Sequence, residues 1–207
     1  MIRVEHIEVF NFEGAIRGLR NPMNSWDKSD SDYDVYDNTN FIIGENDLDL
    51  MKRLYKAGTE HRKYLRQIFV SLDITAPLYW WKEFDTYKVG TVANSCSTMH
   101  KIAAKEFELD DFSHEHLFES SISVLNKVID ELNEWRAFYL ESKNKKEWWQ
   151  LIQLLPSSYN QRRTVTMNYE NVMSMIKQRT GHKLDEWNQF VETLKELPYI
   201  KEIAQWD

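Results

Sequence analysis

The pattern of hydrophobic and polar positions predicts three strands in the chain. In residues 2–9 apolar side chains lie among polar ones within a β-rich segment, which is typical of a strand. Residues 68–74 and 164–167 are short runs rich in β-branched and apolar side chains, and they predict two further strands. Residues 90–97 are small and polar, so we expect a loop there.

Apolar residues spaced three, four and seven positions apart predict helices between these strands. The clearest spans about residues 113–141, with a single apolar stripe of Phe118, Ile122, Leu125, Ile129, Leu132 and Tyr139. Such a helix is roughly 40 Å long at 1.5 Å per residue. Shorter helices are expected near residues 14–18, from Asp47 as cap to about residue 67, from Pro77 to about residue 88, over residues 147–155, after Asn168 as cap, and over residues 184–197.

Strands and helices mixed in this way predict an α+β fold, and 207 residues are enough for a single domain, 1–207, with its own core. The segment 24–40 is polar and acidic, which is typical of a loop. It is long for a connection within a compact domain, so we expect it to be either mobile or a lid over a binding site.

Charge and cysteine content exclude several classes of protein. The formal net charge is −7 and no block of Lys or Arg interrupts it, which disfavours a protein that binds nucleic acid through phosphates. Small anionic ligands stay possible, because their sites need only a few local cations. A single cysteine, Cys96, excludes an intrachain disulfide framework and a cysteine-based zinc cage. With no apolar segment long enough to span a bilayer, cytoplasmic location is expected.

Several local groupings allow both a structural and a functional interpretation. The aromatic pairs at residues 80–81 and 148–149 suit a core, or a core with one ring of each pair facing a partner. His114 and His116 are too close for the helical spacing of a metal pair, and solvated positions explain them better. Arg162 and Arg163 are ion-paired residues or an anion site. Cys96 would be nucleophilic only with a lowered pKa, and no histidine partner can be assigned to it.

Two blocks share their order and spacing with a known family. The first is APLY at residues 76–79, followed by a helix and the small-residue loop through Cys96. The second is LP at residues 155–156, with Asn168 twelve residues after the proline and Arg179 eleven residues after Asn168. In these blocks, and in AIR at residues 15–17, the chain resembles the flavin-dependent thymidylate synthases. These enzymes methylate deoxyuridylate (dUMP) to thymidylate with reduced flavin and methylenetetrahydrofolate.

The resemblance implies a small central β-sheet flanked by long helices, and a homotetramer whose sites lie between subunits. It implies FAD as cofactor, a pyrimidine deoxynucleotide as ligand, and methylenetetrahydrofolate and NADPH as co-substrates of the reaction. Matched residue by residue, Asn168, Lys88 and Thr91 are expected on the flavin side, and Arg179, Asn94 and Cys96 on the nucleotide side. Helix capping by Asn168, and a favourable position of Arg179 at a helix C-terminus, are structural alternatives.

The family signature, Arg-His-Arg-x-x-Ser-x-Asn-Glu-x-Ser-x-Arg-Tyr, is heavily substituted here. Counted from residues 76–77, its positions fall on Thr86, Tyr87, Lys88, Thr91, Ala93, Asn94, Cys96, Thr98 and Met99. In the family, arginines clamp the substrate phosphate, and Lys88 cannot reproduce a planar guanidinium fork. The substitutions therefore predict that thymidylate synthesis is lost, either with nucleotide or flavin binding retained or with only the fold preserved as a binding or assembly module.

Overall fold

The computed structural model describes residues 2–205. The strands in this range are β1 (Arg3–Phe10), β2 (Asp32–Tyr33), β3 (Phe41–Ile42), β4 (Phe69–Pro77), β5 (Thr91–Ser95) and β6 (Asn160–Asn168). The α-helices are α1 (Phe12–Arg20), α2 (Glu45–Lys56), α3 (Leu78–Phe84), α4 (Thr98–Lys101), α5 (Glu119–Ser142), α6 (Lys145–Leu154), α7 (Tyr169–Arg179), α8 (Asp185–Lys195) and α9 (Ile200–Ala204). The predicted α+β class is confirmed.

The larger sheet has the strand order β1-β4-β6-β5, and β2 and β3 form a separate antiparallel hairpin. The chain divides into two compact units. Unit 1 comprises Asp73–Thr86, Ala93–Thr164 and the chain up to Arg3. Unit 2 comprises Val4–Leu72, Tyr87–Val92 and the chain from Val165 onward.

The predicted strands at residues 2–9, 68–74 and 164–167 are confirmed as parts of β1, β4 and β6. The loop expected over residues 90–97 is wrong, because Thr91–Ser95 forms β5 beside β6. Small residues have weak strand propensity, and here the ladder with a neighbouring strand outweighs it. The helix after Pro77 ends at Phe84 rather than near residue 88, whereas the helix before Pro156 ends as expected.

In unit 2, Asp47 does not cap α2 as the sequence suggested. The helix begins at Glu45, and the carboxylate of Asp30 accepts hydrogen bonds from the backbone amides of Asn46 and Asp47 at 2.9 and 3.1 Å. The helix also ends at Lys56 instead of continuing to residue 67, and Gly58 follows at φ 106°, a left-handed conformation that does not continue a right-handed helix. Asp47 is instead a buried hydrogen-bond acceptor.

The Asp47 carboxylate holds part of the acidic segment 24–40 in place. Its side chain is fully buried and accepts hydrogen bonds from Arg20 Nε, Ser29 Oγ and Ser31 Oγ, each at 2.7 Å. The Arg20 side chain is itself only 6% exposed, so the pair is an internal one. The segment is therefore held in place at Ser29 and Ser31. It also contains the strand β2, where the sequence predicted only a loop.

In unit 1 the long helix is α5, which begins at Glu119 rather than near residue 113. Leu125, Ile129 and Leu132 are buried as predicted, whereas Ile122 is only partly buried and Phe118 is 83% exposed. The side chains of the apolar stripe are therefore buried in the middle turns of α5 and exposed or only partly buried at its start. The buried stripe packs with Phe107, Phe112 and Leu151 into one core cluster.

Replacing Ile129 with alanine is expected to lower the free energy of unfolding by about 2–5 kcal/mol, because the substitution leaves a cavity in this cluster. Val124 lies on the same helix and is 60% exposed, so Val124→Ala is the matched control and should change stability by less than about 0.5 kcal/mol. Urea denaturation followed by circular dichroism measures both. Equal effects of the two substitutions would contradict the assigned orientation of α5.

No helix among residues 2–205 is both long enough and apolar enough to cross a membrane.

Candidate functional site

The residues predicted to form the site are distributed over both units. Unit 2 contains Lys88, Thr91, Asn168 and Arg179, and unit 1 contains Asn94 and Cys96.

In unit 2, Asn168 is the N-terminal cap of α7. Its Oδ1 accepts a hydrogen bond from the backbone N–H of Asn171 at 3.0 Å, so the predicted capping role is confirmed. The Asn171 side chain in turn donates to the carbonyl of Val89 at 2.8 Å. Gly90 lies against this pair at φ 78°, and a Cβ there would come within 2.6 Å of Asn168 Nδ2. Only glycine satisfies both conditions, and the amide of Asn168 is thereby held over residues 89–90.

Three hydrogen-bond donors near this cap have unused capacity. The Thr91 hydroxyl is buried without a hydrogen-bond partner in the described part of the chain. The Lys88 ammonium is exposed, and neither it nor Asn168 Nδ2 forms a side-chain hydrogen bond with residues 2–205. A buried hydroxyl without a partner is costly, about 1–3 kcal/mol, unless a bound group or water satisfies it. These donors suit a ligand that presents acceptor oxygens.

The guanidinium of Arg179 lies in an aromatic environment. Its Nε donates to the hydroxyl of Tyr87 at 2.9 Å, Nη1 lies 3.2 Å from His182 Nε2, and the group lies 4.5 Å from the centre of the Trp187 ring. Tyr87 occupies the position of the signature histidine, so two positions matched to the family are in direct contact. Stacking over Trp187 fixes the plane of the guanidinium, which favours a bidentate contact with a planar or anionic group.

In unit 1, a cavity of about 190 Å³ adjoins the nucleotide-side positions of the signature. Cys96 and Thr98 line it, together with four basic side chains and one acidic one: Arg3, Lys101, Lys105, Arg162 and Asp111. Lys105 pairs with Asp111 at 2.5 Å and Arg162 with Asp73 at 2.6 Å. Lys101 has no ion-pair or hydrogen-bond partner for its ammonium among residues 2–205. The lining carries an excess of positive charge.

Neutral donors add to this cavity. Burial, and then the nearby Asp111 carboxylate and Cys96, raise the pKa of Tyr159 to about 12, so its phenol remains protonated at neutral pH. The Thr75 hydroxyl also lines the cavity and is buried without a hydrogen-bond partner in the described chain. Cations and O–H donors that surround one small space, with a single carboxylate, are complementary to a phosphate or a similar oxyanion. We call it the cavity of unit 1.

For Arg162 and Arg163 the sequence allowed either ion pairs or an anion site. Both are ion-paired, which was the structural alternative: Arg163 pairs with Asp85 at 2.7 Å and stacks over Trp81, with 4.1 Å from its Cζ to the ring centre. Arg162 nevertheless lines the cavity of unit 1. Tyr159, which is close to these arginines in the sequence, also lines it, as do Arg3 and Thr75, which no motif or spacing in the sequence singled out as site residues.

The structure gives the other local groupings different environments. Trp80 and Trp81 are fully buried, and Trp149 is 41% exposed. Cys96 is exposed, and among the described residues no histidine lines the cavity that it borders. His114 Nδ1 lies 2.8 Å from the carbonyl of Phe112. Within residues 2–205, no three His, Cys, Asp or Glu side chains are placed to hold a metal ion.

Sequence comparison finds no family model and no curated protein that matches this chain. Comparison with solved structures does find matches. A thymidylate synthase X from Helicobacter pylori, crystallised with FAD and dUMP, has a TM-score of 0.68 at 16% identity, covering 98% of this chain and 95% of that one. A second structure of the flavin-dependent enzyme from the same organism, also with FAD and dUMP, has a TM-score of 0.67 at 17% identity and covers 98% of this chain and 96% of that one.

A related match is the UMP/dUMP methylase PolB from Streptomyces cacaoi, bound with 5-Br UMP. Its TM-score is 0.67 at 12% identity, and the alignment covers 99% of this chain and 92% of that one. The agreement extends over nearly the whole length of all three proteins, whereas the identity is low. The chain therefore has the fold of the flavin-dependent thymidylate synthases, as a strongly diverged example of it.

Proposed function

We propose that the protein binds a nucleotide through its phosphate in the cavity of unit 1, and a flavin through donors of unit 2. The observation that carries the proposal is the ring of basic side chains around the cavity, next to the signature positions Cys96 and Thr98. The family's phosphate-clamping arginines are absent from the signature, and Arg3, Lys101 and Arg162 supply positive charge from other elements. A phosphate needs cations in fixed positions, and their sequence origin does not matter.

For the nucleotide, we assign Cys96 and Asn94 of unit 1 to the phosphate-proximal side. For Arg179 of unit 2 we propose, separately, the nucleotide-side role that the family resemblance implies. The fixed guanidinium plane of Arg179, held by Tyr87 and Trp187, supports this assignment. The neighbours of known structure were crystallised with dUMP or 5-Br UMP, which supports a pyrimidine nucleotide as the ligand. We also propose that the protein works in the cytoplasm.

For the flavin, the donors present fit the cofactor. FAD offers ring carbonyls and phosphate oxygens, and Asn168 Nδ2, the Thr91 hydroxyl and the Lys88 ammonium are donors with unused capacity. We propose that these three residues hold FAD. A reduced flavin supplies hydride, and the protein's own contribution in such a reaction is orientation and electrostatics. Methylenetetrahydrofolate and NADPH would be used only if the methylation reaction survives.

We also propose a homotetramer, in which exposed apolar side chains of unit 1 are covered by other subunits. Phe118, just before α5, is 83% exposed and Trp149 on α6 is 41% exposed, and exposed aromatic side chains of this kind suit a subunit interface.

A second candidate function is a nucleotide-binding or assembly module without chemistry. The observation that favours it is the substitution at Thr86, Thr98 and Met99, where the family signature has arginine, arginine and tyrosine. The two candidates share the phosphate site, so the same binding experiment tests that part of both.

Replacing Lys101 with alanine is expected to weaken binding of dUMP roughly tenfold, about 1.4 kcal/mol, since one exposed charged donor to the phosphate is lost. Deoxyuridine has no phosphate, and its weaker binding should not change. Lys82 is an exposed lysine of α3 in the same unit that does not line the cavity, so Lys82→Ala is the matched control. Equilibrium dialysis with labelled ligands measures all four affinities. Equal losses for the two lysine variants would contradict the phosphate site.

A further inference from the structure

Unit 2 contains an open groove of about 1040 Å³. It lies between β1 with the start of α1, the β2–β3 hairpin and the turn between α8 and α9. We call it the groove of unit 2. Among residues 2–205, no lysine or arginine lines it and three carboxylates do: Glu13, Glu196 and Glu202. Its charge is therefore opposite to that of the cavity of unit 1.

Two pairs of near-perpendicular aromatic rings line this groove, and we call them the aromatic corners. Tyr33 and Phe41 are 5.2 Å apart with their planes at 75°, and Phe12 and Tyr199 are 5.5 Å apart at 78°. Near-perpendicular rings present an electron-rich face next to a ring edge. An ammonium group is attracted to such faces, and recognition of quaternary ammonium ligands by several rings is a common use of this geometry.

Two residues that line the groove, Tyr199 and Asn11, have left-handed backbone conformations. Tyr199 has φ 62°, a left-handed conformation that bulky residues rarely adopt, and Asn11 has φ 71°. The Tyr199 hydroxyl is fixed by a hydrogen bond from the backbone N–H of Ile43 at 3.0 Å, and Asn11 Nδ2 donates to the carbonyl of Gln67 at 2.8 Å. Such strain, on the order of 1–3 kcal/mol per residue, tends to persist at ligand sites, where the surrounding structure enforces it.

The three carboxylates differ in how far they are neutralised. Glu13 pairs with Arg17 at 3.0 Å and accepts the Tyr33 hydroxyl, and Glu196 pairs with Lys201 at 2.5 Å. Glu202 has no ion-pair or hydrogen-bond partner for its side chain among residues 2–205, and it is exposed. Glu202, whose carboxylate forms no ion pair within residues 2–205, therefore lines the same groove as the aromatic corners.

This combination excludes the ligands of the proposed function from the groove. Nucleotides, FAD, NADPH and folates are all anionic, and a groove in which two carboxylates are ion-paired and a third, Glu202, is not carries a net negative charge that disfavours them. We propose that the groove of unit 2 binds an organic cation with an apolar or aromatic body. The cationic head lies against the aromatic corners and is attracted by Glu202, and the body packs along Ile7 and Leu197. The proposal is independent of the nucleotide and flavin sites.

The test compares two ligands of similar size and opposite charge, benzyltrimethylammonium and phenylacetate, by isothermal titration calorimetry on the full-length protein at low salt. The cation is expected to bind at least tenfold more tightly than the anion. Tyr33→Leu, which keeps an apolar side chain but removes the aromatic face, should weaken cation binding roughly threefold to thirtyfold.

Glu202→Gln should weaken binding of the cation about threefold to fivefold, and its matched control is Glu192→Gln, an exposed carboxylate outside the groove. Circular dichroism of each variant confirms that the fold is retained, because all three positions are partly or fully exposed. Equal binding of the two ligands, or no binding of the cation, would overturn the proposal. Equal effects of Glu202→Gln and Glu192→Gln would overturn the role of Glu202.

Discussion

Replacing Asp47 with alanine is expected to lower the free energy of unfolding by about 3–5 kcal/mol. The Asp47 side chain is fully buried, and the substitution leaves the guanidinium of Arg20, 6% exposed, without its counter-charge. Breaking a buried ion pair from one side is costly because the remaining charge stays desolvated. The hydroxyls of Ser29 and Ser31 lose their acceptor at the same time, so the acidic segment 24–40 loses the hydrogen bonds that hold it to α2.

The matched control for this prediction is Asp49→Ala. Asp49 lies on the same helix and pairs with Arg53 at 2.9 Å, but both side chains are 66% exposed. An exposed pair of this kind contributes at most about 1 kcal/mol. Urea denaturation at pH 7 measures both variants. A loss below about 1 kcal/mol in Asp47→Ala would show that the buried pair is not a stabilising element.

The same carboxylate makes stability depend on pH. Burial alone raises the pKa of Asp47, but the hydrogen bonds from Ser31, Ser29 and Arg20 outweigh it, so the pKa in the folded protein is lowered. A group with a lowered folded-state pKa stabilises the protein above its unfolded pKa of about 4 and loses this contribution as the pH falls through the folded value. The difference in stability between wild type and Asp47→Ala should therefore shrink below about pH 4. A constant difference between pH 7 and pH 3 would contradict this linkage.

Asp47 also shows why part of the fold could not be predicted from the sequence. An aspartate before an apolar run satisfies the local rule for a helix cap. Its actual role depends on Arg20, which is 27 residues away in the sequence and has no local signal. The strands at residues 2–9, 68–74 and 164–167 were predictable because apolar and β-branched residues within each segment are themselves a strand signal. The start of α5 was not, since Phe118 fits the helical spacing and yet lies exposed outside the helix.

The candidate site divides in the same way. The capping role of Asn168 was readable from local pattern, because the rule for a cap involves only neighbouring residues. Lys101, Lys105 and Arg162 line one cavity, which no spacing in the sequence indicates. Arg3 reaches that cavity from the N-terminal segment, and Thr75 from β4. Such long-range placement is a product of the fold and leaves no spacing to recognise.

The largest effect is expected on catalysis: the protein should not form thymidylate from dUMP at a rate typical of the family. Thr86, Tyr87, Thr98 and Met99 occupy the signature's arginine, histidine, arginine and tyrosine positions. A hydrogen bond to a charged group contributes about 1.5–3 kcal/mol, so the loss of two or three removes roughly 3–9 kcal/mol, or a hundredfold to a millionfold in affinity. The cations of the cavity of unit 1 restore charge for phosphate binding. They lie outside the signature, whose arginine positions carry Thr86, Lys88 and Thr98 and therefore lack a planar guanidinium.

The decisive experiment combines two measurements on the purified protein. Tritium release from labelled dUMP, with FAD, NADPH and methylenetetrahydrofolate supplied, reports the chemistry, and a flavin titration followed by visible absorbance reports cofactor binding. We expect no family-like turnover, flavin binding, and weaker nucleotide binding in Arg179→Ala. Arg53→Ala, an exposed arginine on α2, is the control variant. Robust turnover would refute the loss of chemistry. No flavin binding, together with no effect of Arg179→Ala on the affinity for any nucleotide, would refute the assigned site and leave a fold without its ligands.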